Sequence, residues 1–420
     1  MRVVYDISML GLGQLYSLSR GGVHRADRHL AEGLLATGEV ELLLCANHSS
    51  AAYQGCLGYL RSGPPLARAA LLGPPESGAS SVFRRGAAGA HRWARRIVGS
   101  NVLPGLFRRG AQLVDRRVHP VVCDASPPAD VFHSACFPLP PKRGSSRARF
   151  ITIHDLGVHR FPALYGAAYL RSARSALESV REGDCVLTSS EASRGELCER
   201  GVAPPERIFV APLGADPRTF HPCGDPDRLR AVRERHGIPE GPYLLSVNTP
   251  DVRKNVRHAV RAFARLVREE GVRDLTLVLV GHGGPHSDPD PAEAADALRG
   301  RVIRTGYVDD EELAPLYSGA TAFVYPSLYE GFGLTPLEAM QCGTPVITSN
   351  TSSFPEVVGD AGILLDPADG DALCQAMLDV VRDAALRERM REQSVARAAR
   401  FSWERCTQAV LEAYRVALAG

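Results

Sequence analysis

The segment from Ala320 to Ser349 constrains the fold more than any other part of the chain. Ala320-Thr-Ala-Phe-Val-Tyr-Pro326 is an apolar run of the length of a buried strand. The glycine turn Gly331-Phe-Gly333 follows, and then Thr335-Pro-Leu-Glu338. That order predicts a helix start with Thr335 as N-cap, Pro336 as first helical residue and Glu338 as third. A strand that passes through a glycine turn into a helix N-terminus leaves free backbone N–H groups and a positive helix end at the turn. Such a mouth suits a phosphate or sugar hydroxyls. Two carboxylates, Glu330 and Glu338, flank it eight positions apart, and carboxylates accept hydrogen bonds from pairs of hydroxyls.

The same alternation recurs along the chain. In the first half, Arg2–Asp6 predicts a strand, Gly11-Leu-Gly13 to Gly21-Gly22 a glycine-rich loop, and Val23–Leu35 a helix. The spacing is not G-x-G-x-x-G, so a dinucleotide site is a poor reading. Asp130–Ser134, Arg149–His154, Asp184–Glu191 and Ile208–Asp216 continue as strands with polar ends. In doubly wound folds such ends line the ligand crevice, which makes His154 a site candidate. A second series starts at Tyr243–Asn248 and runs through the helix Val256–Glu269, strands at Leu275–Gly281 and Val302–Val308, and a helix at Glu311–Ser318. It ends with the 320–349 block and Gly362–Asp366. Strands alternating with helices imply parallel sheets, hence an α/β fold. At 420 residues the chain exceeds one typical core, so two domains are expected. Their junction is expected near residues 214–240.

Composition narrows the partners. The net charge of +2 gives no bulk attraction to polyanions, and no nucleic-acid motif accompanies the basic residues. Residues 62–120 form an irregular stretch rich in Pro, Gly and Arg. From Ser77 to Val114 it holds seven arginines and no acidic residue, interleaved with Phe83, Trp93 and Phe107 among others. Residues 84–117 are therefore expected to offer a surface for anionic lipid headgroups, a solvated insertion on the N-terminal domain being the alternative. None of the ten cysteines forms a C-x-x-C pair, which fits buried thiols in a reducing compartment. The charged N-terminus lacks a signal-peptide core, and no apolar run approaches the roughly 18 residues of a membrane span. A cytoplasmic protein is expected, peripheral at the inner face of the membrane through the Arg-rich stretch.

Glu330-x7-Glu338 with Gly331-Phe-Gly333 resembles the signature of retaining glycosyltransferases of family 4. Those enzymes have two Rossmann-like domains facing a central cleft, the GT-B fold, and use nucleotide-sugar donors. The likeness extends over roughly residues 1–40 and 130–418 and is densest from 243 to 366; residues 45–125 match nothing. It implies an N-terminal acceptor domain at 1–220 with the insertion at about 62–120, a donor domain at 221–400, and a helix at 401–420 returning to the first domain. It also implies roles. Gly22, in Arg20-Gly-Gly-Val-His-Arg25, would touch the donor diphosphate through its N–H. His154, in His154-Asp155, would lie beside the transferred sugar. Arg253 and Lys254 would steady the leaving diphosphate. Glu330 would contact hexose hydroxyls, helped by the N–H groups of Phe332 to Leu334. Glu338 would hold the ribose, with a capping-box role as the plain alternative, and backbone at Tyr307-Val308 would meet the base.

The chemistry asks for stabilisation of a departing diphosphate, by a metal or by fixed cations and N–H donors. Asp225-Pro-Asp227 and Asp288-Pro-Asp290 are expected to be turn chemistry, Asp309-Asp310 an N-cap, and Asp369-Gly-Asp371 a turn into a helix. No metal or other cofactor is therefore expected. Ser353-Phe-Pro-Glu356 fits the family, and a capping box suffices for it. The 330–340 and 352–362 blocks are most like bacterial mannosyltransferases of polysaccharide and lipopolysaccharide assembly. GDP-mannose is the first donor expectation, with UDP-glucose or another UDP- or dTDP-sugar as alternatives, and the acceptor is a saccharide or lipid-linked saccharide. A nucleotide-sugar-binding subunit without turnover is the competing class. A nicotinamide-dependent oxidoreductase lacks its fingerprint.

Overall fold

The structure is a computed structural model that describes residues 1–15, 21–73, 127–141, 146–247, 251–272, 274–281 and 298–420. The Arg-rich stretch 84–117 and Asp288-Pro-Asp290 lie outside them, as does Arg20.

Apolar, β-rich runs form two all-parallel sheets. The first comprises β1 (Arg2–Asp6), β2 (Glu41–Cys45), β3 (Ala70–Leu71), β4 (Ala129–Ser134), β5 (Ser146–Thr152), β6 (Cys185–Thr188) and β7 (Ile208–Val210). Its order is β3-β2-β1-β4-β5-β6-β7. The second comprises β8 (Tyr243–Val247), β9 (Thr276–Val280), β10 (Val302–Gly306), β11 (Ala322–Tyr325), β12 (Val346–Ser349) and β13 (Ile363–Leu365), in the order β10-β9-β8-β11-β12-β13. Every residue of β9 and β11 is buried, as helices on both faces of a parallel sheet require. Strand order reverses between β1 and β4, paired Val3 to Val131, and between β8 and β11, paired Ala322 to Leu244. Crevices open at the carboxyl ends of strands at such reversals.

Helices α1 (Ser8–Leu15), α2 (Gly22–Ala36), α3 (Ser50–Arg61), α4 (Glu191–Glu199), α5 (Val256–Glu269), α6 (Asp310–Gly319), α7 (Leu334–Gln341) and α8 (Trp403–Ala419) set the site. Three sequence expectations are corrected here. Gly11 and Gly13 belong to α1, not to a loop; a Cβ at Gly11 would stand 2.6 Å from Cys56 Sγ of α3. These glycines serve close helix approach rather than a turn. The helix after β11 starts at Leu334, with Gly333 at φ 101° as its N-cap residue. Pro336 is thus its third residue, where no intrahelical N–H partner is missed, and Glu338 lies beyond capping reach. Asp225 is a helix cap rather than a turn residue, accepting from the Asp227 and Arg228 amides.

The last helix, α8, is capped by Ser402 and packs on the first sheet's layer. A Cβ at Gly33 of α2 would collide with the Thr407 side chain, Trp403 stacks on His29 at 4.5 Å, and Tyr414 bonds the His133 ring on β4. One apolar cluster runs from Val3 and Tyr5 through α2 and α8 to Phe220, Tyr317 and Phe332. The two sheets therefore share a core that the C-terminal helix helps to build.

Candidate active site

β8 and β11 deliver the charged residues. After β8 the chain makes a one-turn 3₁₀ segment, Val252–Lys254, capped by Asp251. Asn255 then adopts the left-handed conformation at φ 55°, its side chain fixed on the Pro367 carbonyl, and α5 begins. Asn tolerates that conformation better than most residues. Arg253 and Lys254 are held, not solvated: their side chains are 13% and 12% exposed. Arg253 donates Nε and Nη2 to Asp251 Oδ2 at 2.9 and 2.6 Å. Burial pushes the Asp251 carboxyl up, but Arg253 outweighs it and holds the carboxyl below its ordinary range. The Arg253 guanidinium also lies 5.8 Å from the centre of the Tyr165 ring, itself stacked on Tyr169.

Lys254 pairs with Glu330 Oε1. The same oxygen accepts from Tyr325 at 2.9 Å, and the Ser327 hydroxyl lies 3.1 Å from it. Ser327 reaches the Arg253 carbonyl at 3.0 Å and the Leu328 amide donates to it at 2.7 Å. The turn after β11 is therefore tied to the cation segment after β8, side by side at the strand-order reversal.

The first sheet presses against this turn. A Cβ at Gly331 would stand 2.6 Å from the His154 carbonyl oxygen and 2.7 Å from Asp155 Cβ. A Cβ at Gly157 would stand 2.5 Å from Arg253 Nη1. Both glycines are needed for the approach of backbone to backbone and to guanidinium. Ser190 donates to the Gly331 carbonyl at 2.6 Å, and the Ser189 and Ser193 hydroxyls lie 3.1 Å from the His154 carbonyl. Tyr329 accepts from the Leu156 amide at 3.0 Å. Burial lowers the His154 imidazole below its ordinary value, with Asp155 opposing, so the ring is neutral at pH 7.

Gly22 is the first residue of α2, and a Cβ there would meet Leu334 Cδ1 at 3.6 Å. Gly22 and Leu334 thus face each other across the cleft, and the Gly331–Leu334 turn links the Glu330 cluster to Glu338. Val308 and Phe332 are both buried. Glu338, its side chain 4% exposed, pairs with Arg25 of α2 at 2.8 Å, and Arg25 reaches Asp310 at 3.5 Å. Burial raises the Glu338 carboxyl to about 7 although Arg25 lowers it.

One further expectation is corrected: Ser353–Glu356 is not a capping box. The Ser353 hydroxyl donates to the Phe332 carbonyl at 2.7 Å. Glu356 accepts from the Glu191 and Ala192 amides at 2.8 and 3.0 Å, capping α4 of the first half from the second. Arg25, Asp251, Ser190, Tyr329 and Glu356 were not singled out as site residues by sequence reasoning. Their partners lie far along the chain, except for Asp251, which a cap preceding Arg253 could have flagged.

Solved structures share this architecture. WaaG, a glycosyltransferase involved in lipopolysaccharide biosynthesis, superposes with a TM-score of 0.63 at 16% identity over 98% of both chains. Sucrose-phosphate synthase from Thermosynechococcus elongatus gives 0.63 at 20% identity, covering 99% of this chain and 98% of that one. The fold is thus the two-domain GT-B arrangement of glycosyltransferases. Residues 230–397 match the family "Glycosyl transferases group 1". O-antigen chain mannosyltransferase B of Escherichia coli is 36% identical over 68% of this chain and 74% of its own. The serotype-specific mannosyltransferase WbdA of Escherichia coli is 30% identical over 45% of this chain, a match spanning 23% of that protein. The chain belongs to the group 1 glycosyltransferases and is a glycosyltransferase, as the resemblance at Glu330–Glu338 implied.

Proposed function

We propose that the protein is a retaining, metal-independent mannosyltransferase that moves mannose from GDP-mannose to a saccharide or lipid-linked saccharide acceptor of polysaccharide assembly. The observation that carries the reading is the convergence of Arg253, Lys254, Glu330 and the Gly331–Leu334 turn on one side with the His154–Asp155 backbone and Gly22 on the other. Mannosyltransferase relatives supply the choice of sugar.

In this reading the donor diphosphate lies between the Gly22 amide and the two cations. As the glycosidic bond breaks, charge grows on the leaving phosphate. Arg253 and Lys254, already fixed by Asp251 and Glu330, meet it without reorganisation. No metal is required in this account. Glu330 Oε1 already receives Lys254 and Tyr325, so it is a weak nucleophile but a well-oriented acceptor for a hexose hydroxyl. The two-carboxylate retaining scheme needs a nucleophile beneath the sugar. Same-face attack does not: the acceptor hydroxyl gives its proton to the departing phosphate oxygen while its oxygen bonds the anomeric carbon. Neutral His154 exchanges a hydrogen bond with the sugar without adding charge. Glu338 takes the ribose hydroxyls, and backbone at Val308 meets the base.

Among the described residues no helix is long and apolar enough to cross a membrane. Cytoplasmic placement, with residues 84–117 against the inner membrane face, is part of this proposal. The test is proton NMR of the product formed from GDP-mannose with a chelator present. Retention predicts an α-linked mannose at undiminished rate; a β-linked product, or loss of turnover on chelation, would overturn the mechanism.

A further inference from the structure

Arg25 is a cation of the cleft that the mechanism above leaves unused. It rises from α2, one turn after Gly22, and crosses to the other sheet's helices. There it pairs with Glu338 at 2.8 Å and Asp310 at 3.5 Å, with its guanidinium 6.0 Å from the Phe220 ring centre. We propose that Arg25 completes the nucleotide site from the opposite domain, holding Glu338 as an oriented carboxylate that accepts the ribose hydroxyls. The proposal rests on the ribose reading of Glu338.

The argument is one of geometry and charge. A carboxyl group accepts two hydroxyls well only when ionised. Glu338 is nearly buried, and burial disfavours its charge. Asp310 adds a like charge, so Arg25 is the group that opposes both. Other titratable groups that face the pair are Tyr307, Tyr317 and Cys342 of the second domain and His29 of α2; none supplies a second cation there. The Arg25 bond engages Oε1 at Nη2, leaving Oε2 for the nucleotide. Because Arg25 belongs to the first domain, the site is fully charged only when the two domains are together. Nucleotide binding and closure then favour each other through the Arg25–Glu338 contact that spans the two domains.

The test uses the full-length protein and calorimetric titration with GDP, and with UDP, between pH 6.5 and 9. Wild type is compared with Arg25→Gln, Arg25→Lys and Glu338→Gln; titration of the nucleotide's own phosphate is common to all and cancels. Affinity needs ionised Glu338, so it falls as pH falls through that group's value. Removing Arg25 raises that value and moves the fall to higher pH. Arg25→Gln is expected to weaken binding at pH 7 by about tenfold or more, the scale of a hydrogen bond to a charged group, with the deficit shrinking toward pH 9. Arg25→Lys, which keeps the charge, restores the wild-type pH limb. An Arg25→Gln protein that binds as tightly as wild type, or more weakly by the same factor at every pH, would overturn the proposal. Wild-type affinity in Glu338→Gln would instead remove the ribose reading beneath it.

Discussion

At the residue scale the site is a set of charges held in place before any substrate arrives. Arg253 on Asp251 and Lys254 on Glu330 cost little further ordering when a diphosphate comes within reach. Alanine at either cation should therefore lower turnover roughly a hundredfold, the scale of losing one preorganised donor. Near-wild-type turnover in both single variants would sink the assignment. These two residues were legible in the sequence because they sit between a strand and a helix in a matching context. Their carboxylate partners were less so: Glu330 was identified as a sugar contact, and its pairing with Lys254 appears only when β8 and β11 lie side by side. Arg25 closes the Arg20–Arg25 motif, but its partner Glu338 is in the other domain, and no local pattern states that.

At the element scale most of the alternation of strands and helices is legible, because buried parallel strands are continuous apolar runs; α1, whose glycines mimic a loop, and the elements β2 and α3 are exceptions. Helix starts were misread at two places. Thr335-Pro336 carries a local N-cap signal, yet Gly333 alone accommodates φ 101° and begins the helix two residues earlier. Ser353 and Glu356 look like a capping box, yet each bonds outside its own helix. In the first case a glycine conformation displaced the local preference, in the second tertiary hydrogen bonds did. Gly331 shows the same logic at a turn. Gly331→Ala places a methyl 2.6 Å from the His154 carbonyl, so the 329–331 turn must move off the 154–155 segment. Turnover should fall at least about tenfold while the melting temperature changes by only a few degrees, since the strain is local, about 1–3 kcal/mol. Unchanged turnover in a folded Gly331→Ala protein would mean that this contact has no part in the reaction. The C-terminal helix makes a separate prediction. Tyr414→Phe strips the buried His133 Nδ1 of its partner and should destabilise the protein by about 1–3 kcal/mol, measured by denaturant unfolding. No change would mean that this hydrogen bond adds nothing to the hold of α8.

At the scale of the whole molecule, two doubly wound sheets meet with their strand carboxyl ends facing one cleft. Beside the shared apolar core, the junction carries polar contacts: Ser190 on the Gly331 carbonyl, Tyr329 on the Leu156 amide, Glu356 on the start of α4, and Arg25 on Glu338. Such contacts are directional and exchangeable with water, which suits domains that open for substrate and close for chemistry. The measurement that tests the central claim is release of free nucleotide diphosphate from a panel of nucleotide sugars, with metal chelated. Wild type is compared with Arg253→Ala and Glu330→Ala. The account predicts release from GDP-mannose that is lost in both variants. Binding of no nucleotide sugar, or equal release by wild type and variants, would contradict it.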